Sequence, residues 1–241
     1  MKKARFTPLQ IAVHVGAWIP LAWLAWAAYT GHLTVNPIQA ATQRTGKYAL
    51  VLLVLSLSAT PLNTLFGLRQ VLRLRRALGL YAFLYAGIHL AIFAGVDYGL
   101  DWSLLKGAIF EKPFVLVGLA ALLILLSLAA TSFRYWMKRL GKKWKRLHQL
   151  VYLAAALVIV HFAWSVKGDI LRLQGNVLQP LAFGALVTVL LALRIPPVRK
   201  RVSAVRQRIS RRSLRRRPMP AGASGRRSAS RPDPEPPILQ Q

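Results

Sequence analysis

Cysteine is absent from the chain, which excludes disulfides and any metal or cluster held by thiolate. Acidic residues are nearly as scarce, with six Asp and Glu against 34 Lys and Arg. Four of the six, Asp97, Asp101, Glu111 and Asp169, fall in polar stretches between long apolar runs, and none falls inside a run. A relay of intramembrane carboxylates is therefore missing from the sequence, which counts against a proton or ion transporter. The polar stretches also lack the alternating pattern of half-buried strands.

What is abundant is apolar: 55% of the residues are hydrophobic and mean hydropathy is +0.40. Six long apolar runs can be read at about residues 9–29, 48–65, 78–96, 114–133, 150–166 and 177–193. Each approaches the length of about 17–25 residues needed to cross a hydrocarbon core. The expected fold is an all-α integral membrane protein, a bundle of six transmembrane helices, because spanning segments without strand signals must satisfy their backbone internally as helices. The first run follows Lys2, Lys3 and Arg5, and Ala25-Trp26-Ala27 has the form of a cleavage site. Its length of about twenty residues exceeds a usual signal core of about 7–15, so a retained helix is expected.

The net charge of +28 has the magnitude of a nucleic-acid binder, but its distribution points to a membrane. Of the 34 Lys and Arg, 28 fall in alternate segments and six in the others. By the positive-inside rule both termini are then cytoplasmic, and stretches 31–47, 97–113 and 167–176 face outward. No nucleic-acid partner is expected; the bilayer is. Two domains follow, a membrane domain over 1–195 and a basic, Pro/Ser-rich cytoplasmic tail over 196–241. Val202, Val205, Ile209 and Leu214 recur at roughly helical spacing, so 199–216 can be read as a basic amphipathic helix, the alternative being a solvated tail. Residues 218–241 have the composition of a disordered segment.

Three histidines lie in or at the edge of these runs: His89, His148 and His161. An ionisable side chain at membrane depth marks a functional site by default, and imidazole is both the commonest metal ligand and a standard axial ligand of haem iron. With no cysteine, a metal must be held by His, Met, Tyr or carboxylate. His89 lies twelve residues beyond Ala77 and His161 thirteen beyond His148, rises of about 18 and 20 Å on two helices that leave the cytoplasm. The pair therefore matches in depth and can clamp one haem iron. His148, directly after Lys142, Lys143, Lys145 and Arg146, belongs at the cytoplasmic edge. A second haem there would need a partner near Arg75 or Arg76, neither a histidine, and His14 is the remaining histidine near that depth. For His14 a simple interhelical hydrogen bond competes with ligation, and His32 falls in an outward loop.

Residues 75–90, RRALGLYAFLYAGIHL, and 140–167, LGKKWKRLHQLVYLAAALVIVHFAWSVK, resemble the MsrQ (YedZ) family within the ferric-reductase-like transmembrane superfamily. His14 and Pro20, Thr45-Gly46 and Ala59-Thr60-Pro61-Leu62 fit as well, so the resemblance runs from residue 9 to about 195. It implies an electron-transfer subunit with b-type haem, one or two per chain, in the bacterial inner membrane. It also implies His89, His148 and His161 as ligands, and as partner a periplasmic molybdopterin-dependent methionine sulfoxide reductase that repairs oxidised proteins. Quinone or a cytosolic flavin is the implied donor, with FMN as a possible cofactor. The residues after Arg194 show no GxGxxG and no βαβ pattern, so an appended flavin or nicotinamide domain is not expected. The competing readings are a ferric-reductase-like carrier with another acceptor, a histidine relay, and a haem-free assembly subunit.

Overall fold

The first long helix starts where its sequence offers a complete N-terminal cap. The Thr7 hydroxyl accepts a hydrogen bond from the Gln10 backbone N–H, the Gln10 side-chain oxygen accepts one from the Thr7 backbone N–H, and Pro8 occupies the first helical position, where its missing N–H costs nothing. The computed structural model describes residues 7–166, 168–169, 174–175, 177–195 and 197–198. In chain order these form α1 (Pro8–Tyr29), α2 (Pro37–Phe66), α3 (Val71–Ala91), α4 (Trp102–Glu111), α5 (Pro113–Ala130), α6 (Arg134–Leu140), α7 (Lys142–Leu147), α8 (Leu150–Ser165) and α9 (Leu178–Ala192). A π-helical turn, Ile92–Asp97, extends α3. The expected amphipathic segment 199–216 and tail 218–241 lie outside the described residues.

Five helices are long and apolar enough to cross a membrane: Pro8–Tyr29, Pro37–Phe66, Val71–Asp97, Pro113–Ala130 and Lys142–Ser165. The sixth expected span is the shorter α9, 15 residues, or about 22 Å of helix. Among the described residues the architecture is helical apart from one two-residue strand pair, with five helices of spanning length and a sixth apolar helix below it.

Several stretches expected as polar loops are helical. Asn36 caps α2 and Pro37 opens it, eleven residues before the apolar run begins, and Gly67 at φ +74° ends it. Gln39, Gln43, Arg44 and Lys47 do not halt a helix once it is nucleated, because polar long side chains are good helix formers. Hydropathy marks depth in the bilayer rather than helix ends. The stretch 97–113 likewise contains α4, opened by Asp101, which accepts hydrogen bonds from the Ser103 and Leu104 backbones. The basic stretch before α8 folds into α6 and α7, which turn at Gly141, φ +49°. A two-residue antiparallel pair, Gly168–Asp169 with Gln174–Gly175, lies between α8 and α9.

Two helical hairpins, α2 with α3 and α5 with α8, make the most extensive pairings. Their shared core holds Leu50, Leu53, Val54 and Leu57 of α2, Ala82 of α3, Leu125 of α5, Ala154 and Ala155 of α8, and Val187 and Leu190 of α9. The fully buried alanines let backbones approach closely, the usual means of association where lipid removes the hydrophobic drive between helices. The first helix lies outside this core and is tied to it by the Tyr85 hydroxyl, which donates to the Ala17 carbonyl at 2.6 Å.

Candidate functional site

The two hairpins bring His89 of α3 and His161 of α8 face to face. Their ring centroids are 6.1 Å apart and their planes cross at 86°. Each ring is held from behind by a backbone carbonyl of its hairpin partner. His89 Nδ1 donates to Thr42 on α2 at 2.9 Å, and His161 Nδ1 donates to Phe114 on α5 at 2.7 Å. A proton on Nδ1 leaves Nε2 as the lone-pair nitrogen, the tautomer a metal-ligating histidine needs.

Those carbonyls are reachable because a glycine stands four residues further along each helix. A Cβ on Gly46 would meet the His89 ring at 3.0 Å, and one on Gly118 would meet the His161 ring at 2.6 Å. The carbonyl of residue i in an α-helix already accepts the N–H of residue i+4. Removing the side chain at i+4 opens a notch through which an imidazole adds a second hydrogen bond to the same oxygen. Both notches have the same register: each histidine lies 47 residues after its carbonyl and 43 after its glycine. Depth matching in the sequence identifies the histidines but not Gly118 or the two carbonyls. The signal that finds them is the common offset of 72 residues, which relates Gly46 to Gly118, Ala82 to Ala154 and His89 to His161.

This donor set fits a haem and not a bare metal ion. No group of three or more His, Asp or Glu occurs among the described residues, whereas a protein-held zinc site needs three or four such ligands. Two imidazoles fill the axial positions of an iron whose other four ligands come from a macrocycle. A metal–imidazole bond is about 2 Å and a ring nitrogen lies about 1 Å from the ring centre, so opposite imidazoles on one metal have centroids about 6 Å apart. The observed spacing matches.

The other sequence-derived candidates lie elsewhere. His148 follows α7, stacks on Trp144 with centroids 4.0 Å apart, and shares a 3.2 Å contact with the Trp144 carbonyl. Trp144 is itself pinned to the end of α5 by its indole N–H, which donates to the Thr131 carbonyl at 2.9 Å. His14 on α1 hydrogen-bonds the Tyr81 hydroxyl at 2.8 Å. Arg75 is half-buried on α3, in charge–charge range of His148, and Arg76 beside it is exposed. His32 is exposed in the turn after α1, where its backbone N–H donates to the Ala27 carbonyl.

Comparison with known proteins identifies the family. Residues 45–159 match the family described as ferric reductase like transmembrane component, a span that holds one notch glycine, the other, and His89. Curated relatives carry the name protein-methionine-sulfoxide reductase heme-binding subunit MsrQ. The relative from Rhodospirillum rubrum is 41% identical over 80% of this chain and 91% of its own. Those from Xanthomonas axonopodis pv. citri and Caulobacter vibrioides are 40% and 36% identical, over 83% and 76% of this chain and 90% and 84% of theirs. With such identity over nearly the whole of its relatives, the chain belongs to the MsrQ family.

Proposed function

We propose that this protein is a membrane electron-transfer subunit in which His89 and His161 hold one haem b, and that it delivers electrons to a methionine sulfoxide reductase that repairs oxidised proteins. The observation that carries the reading is the pair of imidazoles, each anchored through Nδ1 to a neighbouring helix. Bound there, the haem supplies a one-electron couple. The chain's own contribution is to keep both Nε2 atoms unprotonated, fix the ring planes through the Thr42 and Phe114 carbonyls, and surround the site with apolar helices that exclude water. Anchoring a ligand ring from behind sets its tautomer and raises its basicity.

On the same reading the protein sits in the bacterial inner membrane with six crossings, α9 included, and both termini in the cytoplasm. The acceptor is a periplasmic, molybdopterin-containing catalytic subunit; the donor is the quinone pool or a cytosolic flavin, with FMN a possible second cofactor. His148 takes an inner role, as ligand to a second haem or as the entry point for flavin or quinol, with Arg75 beside it. Arg76 and His14 are further cofactor-binding candidates on this reading. Residues 1–195 form the membrane domain and 196–241 the tail.

The test is spectroscopic. His89→Ala and His161→Ala are each expected to abolish the low-spin bis-imidazole signal of the purified protein, read by optical and electron paramagnetic resonance spectra. Retention of that signal in both single variants sinks the assignment, and a folded wild type that takes up no haem sinks the function.

A further inference from the structure

Arg194 and Arg75 approach one another toward the end of the bundle where α9 finishes and α3 and α8 begin: Arg194 reaches the Leu57 carbonyl of α2, and Ser56 beside it donates to the Arg75 carbonyl at 2.9 Å. Arg194 follows α9 and crosses the helix ends. Its Nη1 donates to the Tyr152 hydroxyl at 2.9 Å, its Nη2 donates to the Leu57 carbonyl at 2.6 Å, and its guanidinium lies over the Tyr152 ring at 5.1 Å. Among the described residues its buried Nε has no hydrogen-bond partner. The Arg75 guanidinium, half-buried on α3, lies in charge–charge range of Arg194. The acidic residues Asp97, Asp101, Glu111 and Asp169 all belong to the opposite end, beyond the far ends of α3 and α8.

Arginine cannot shed its charge by deprotonation. Two half-buried guanidiniums that repel each other, one with an orphaned N–H, are costly unless an anion joins them. No carboxylate of the described chain is placed to do so. After its two hydrogen bonds Arg194 still has three N–H donors, and paired guanidiniums match the oxygens of a phosphate. Arg75 stands about one turn into α3 and Arg194 just past the end of α9, positions from which long arginine side chains reach the headgroup layer.

We infer that Arg75 and Arg194, with Tyr152 and the Leu57 carbonyl fixing the second, form a binding site for a phosphate oxyanion, supplied by a phospholipid headgroup at the membrane margin. The site is separate from the His89–His161 pair and does not depend on what that pair holds.

The experiment uses the full-length protein, purified and stripped of lipid in mild detergent, with binding read by native mass spectrometry. The probes are phosphatidylglycerol, diacylglycerol with the same chains, and inorganic phosphate. Phosphatidylglycerol is expected to bind and diacylglycerol not to. Arg194→Gln and Arg75→Gln should each weaken phosphatidylglycerol binding about tenfold or more, the loss expected for a charge-assisted hydrogen bond. Arg73→Gln, exposed on the same helix, should leave it unchanged. Arg194→Lys, which keeps the charge and loses the fork, serves if the glutamine variant does not fold. Competition by millimolar inorganic phosphate in the wild type alone supports the oxyanion chemistry with a soluble source instead of a lipid one. Equal binding of diacylglycerol, or phosphatidylglycerol binding unaffected in Arg75→Gln and the Arg194 variants, overturns the site.

Discussion

An alanine at position 118 would place its Cβ 2.6 Å from Nδ1 of His161, against 3.0 Å from Nδ1 of His89 for an alanine at 46. The first distance is inside hard contact, and the obstructing atom belongs to a ring already pinned to the Phe114 carbonyl. Gly118→Ala should therefore push the ring off its carbonyl and cost about 10–100-fold in haem retention, the usual penalty for losing a hydrogen bond that supports a ligand. Gly46→Ala should do less. Gly87→Ala, with nothing within 4 Å of its would-be Cβ, should leave the haem spectrum unchanged. The check is haem content after purification, compared across the three variants. At this scale the sequence reveals the histidines, because imidazole stands out in an apolar run, and conceals the glycines, because a glycine in a membrane helix has many bland uses. The acceptor carbonyls have no side-chain signature at all.

The element scale explains why His148 and His161 are not one ligand row. Helix α7 ends at Leu147 and α8 begins at Leu150, so His148 occupies the joint between two helices. An uninterrupted helix would set the two histidines about 140° apart at 100° per residue. The joint removes that constraint and stacks His148 on Trp144 instead. His148→Ala is expected to leave the His89–His161 signal intact while lowering inner cofactor content or slowing reduction by quinol or flavin donors about tenfold. If haem content, flavin content and reduction by each donor are all unchanged, the residue is structural. Hydropathy locates the apolar core of the five full-length helices. It does not reveal that α2 continues outward to Pro37, and that extension carries the Thr42 carbonyl and Gly46 into contact with His89.

On the proposed reading, charge distribution sets the orientation of the whole molecule and, with it, the exit side for electrons. If the basic end faces the cytoplasm, the histidine pair lies in the outer half, near α4 and the stretch between α8 and α9. Those two stretches carry Asp97, Asp101, Glu111 and Asp169 against four basic residues, so docking of a periplasmic partner there should be weakly electrostatic and transient. Replacing Asp101, Glu111 and Asp169 together is expected to slow electron transfer from the reduced protein to the catalytic subunit several-fold, with spectra unchanged. Deleting residues 218–241 should have no effect on that rate. Stopped-flow mixing of the two proteins measures both, and the reverse pattern overturns the orientation.

The sequence by itself determined that the chain builds an apolar helical bundle and that any metal it holds has no thiolate ligand. Both follow from composition, since a run of apolar residues at membrane length has few other uses and a chain without cysteine has few other soft ligands. It also ranked His89 with His161, because depth in a straight helix is a linear function of residue number. Only the tertiary structure decided which helix supports each ring, through which carbonyl, and over which glycine. It also brought Arg194 and Arg75, 119 positions apart, to the neighbouring residues Leu57 and Ser56 of α2. These are relations between helices, and azimuth and neighbour choice are set by side-chain packing across the whole bundle, which a one-dimensional pattern does not encode.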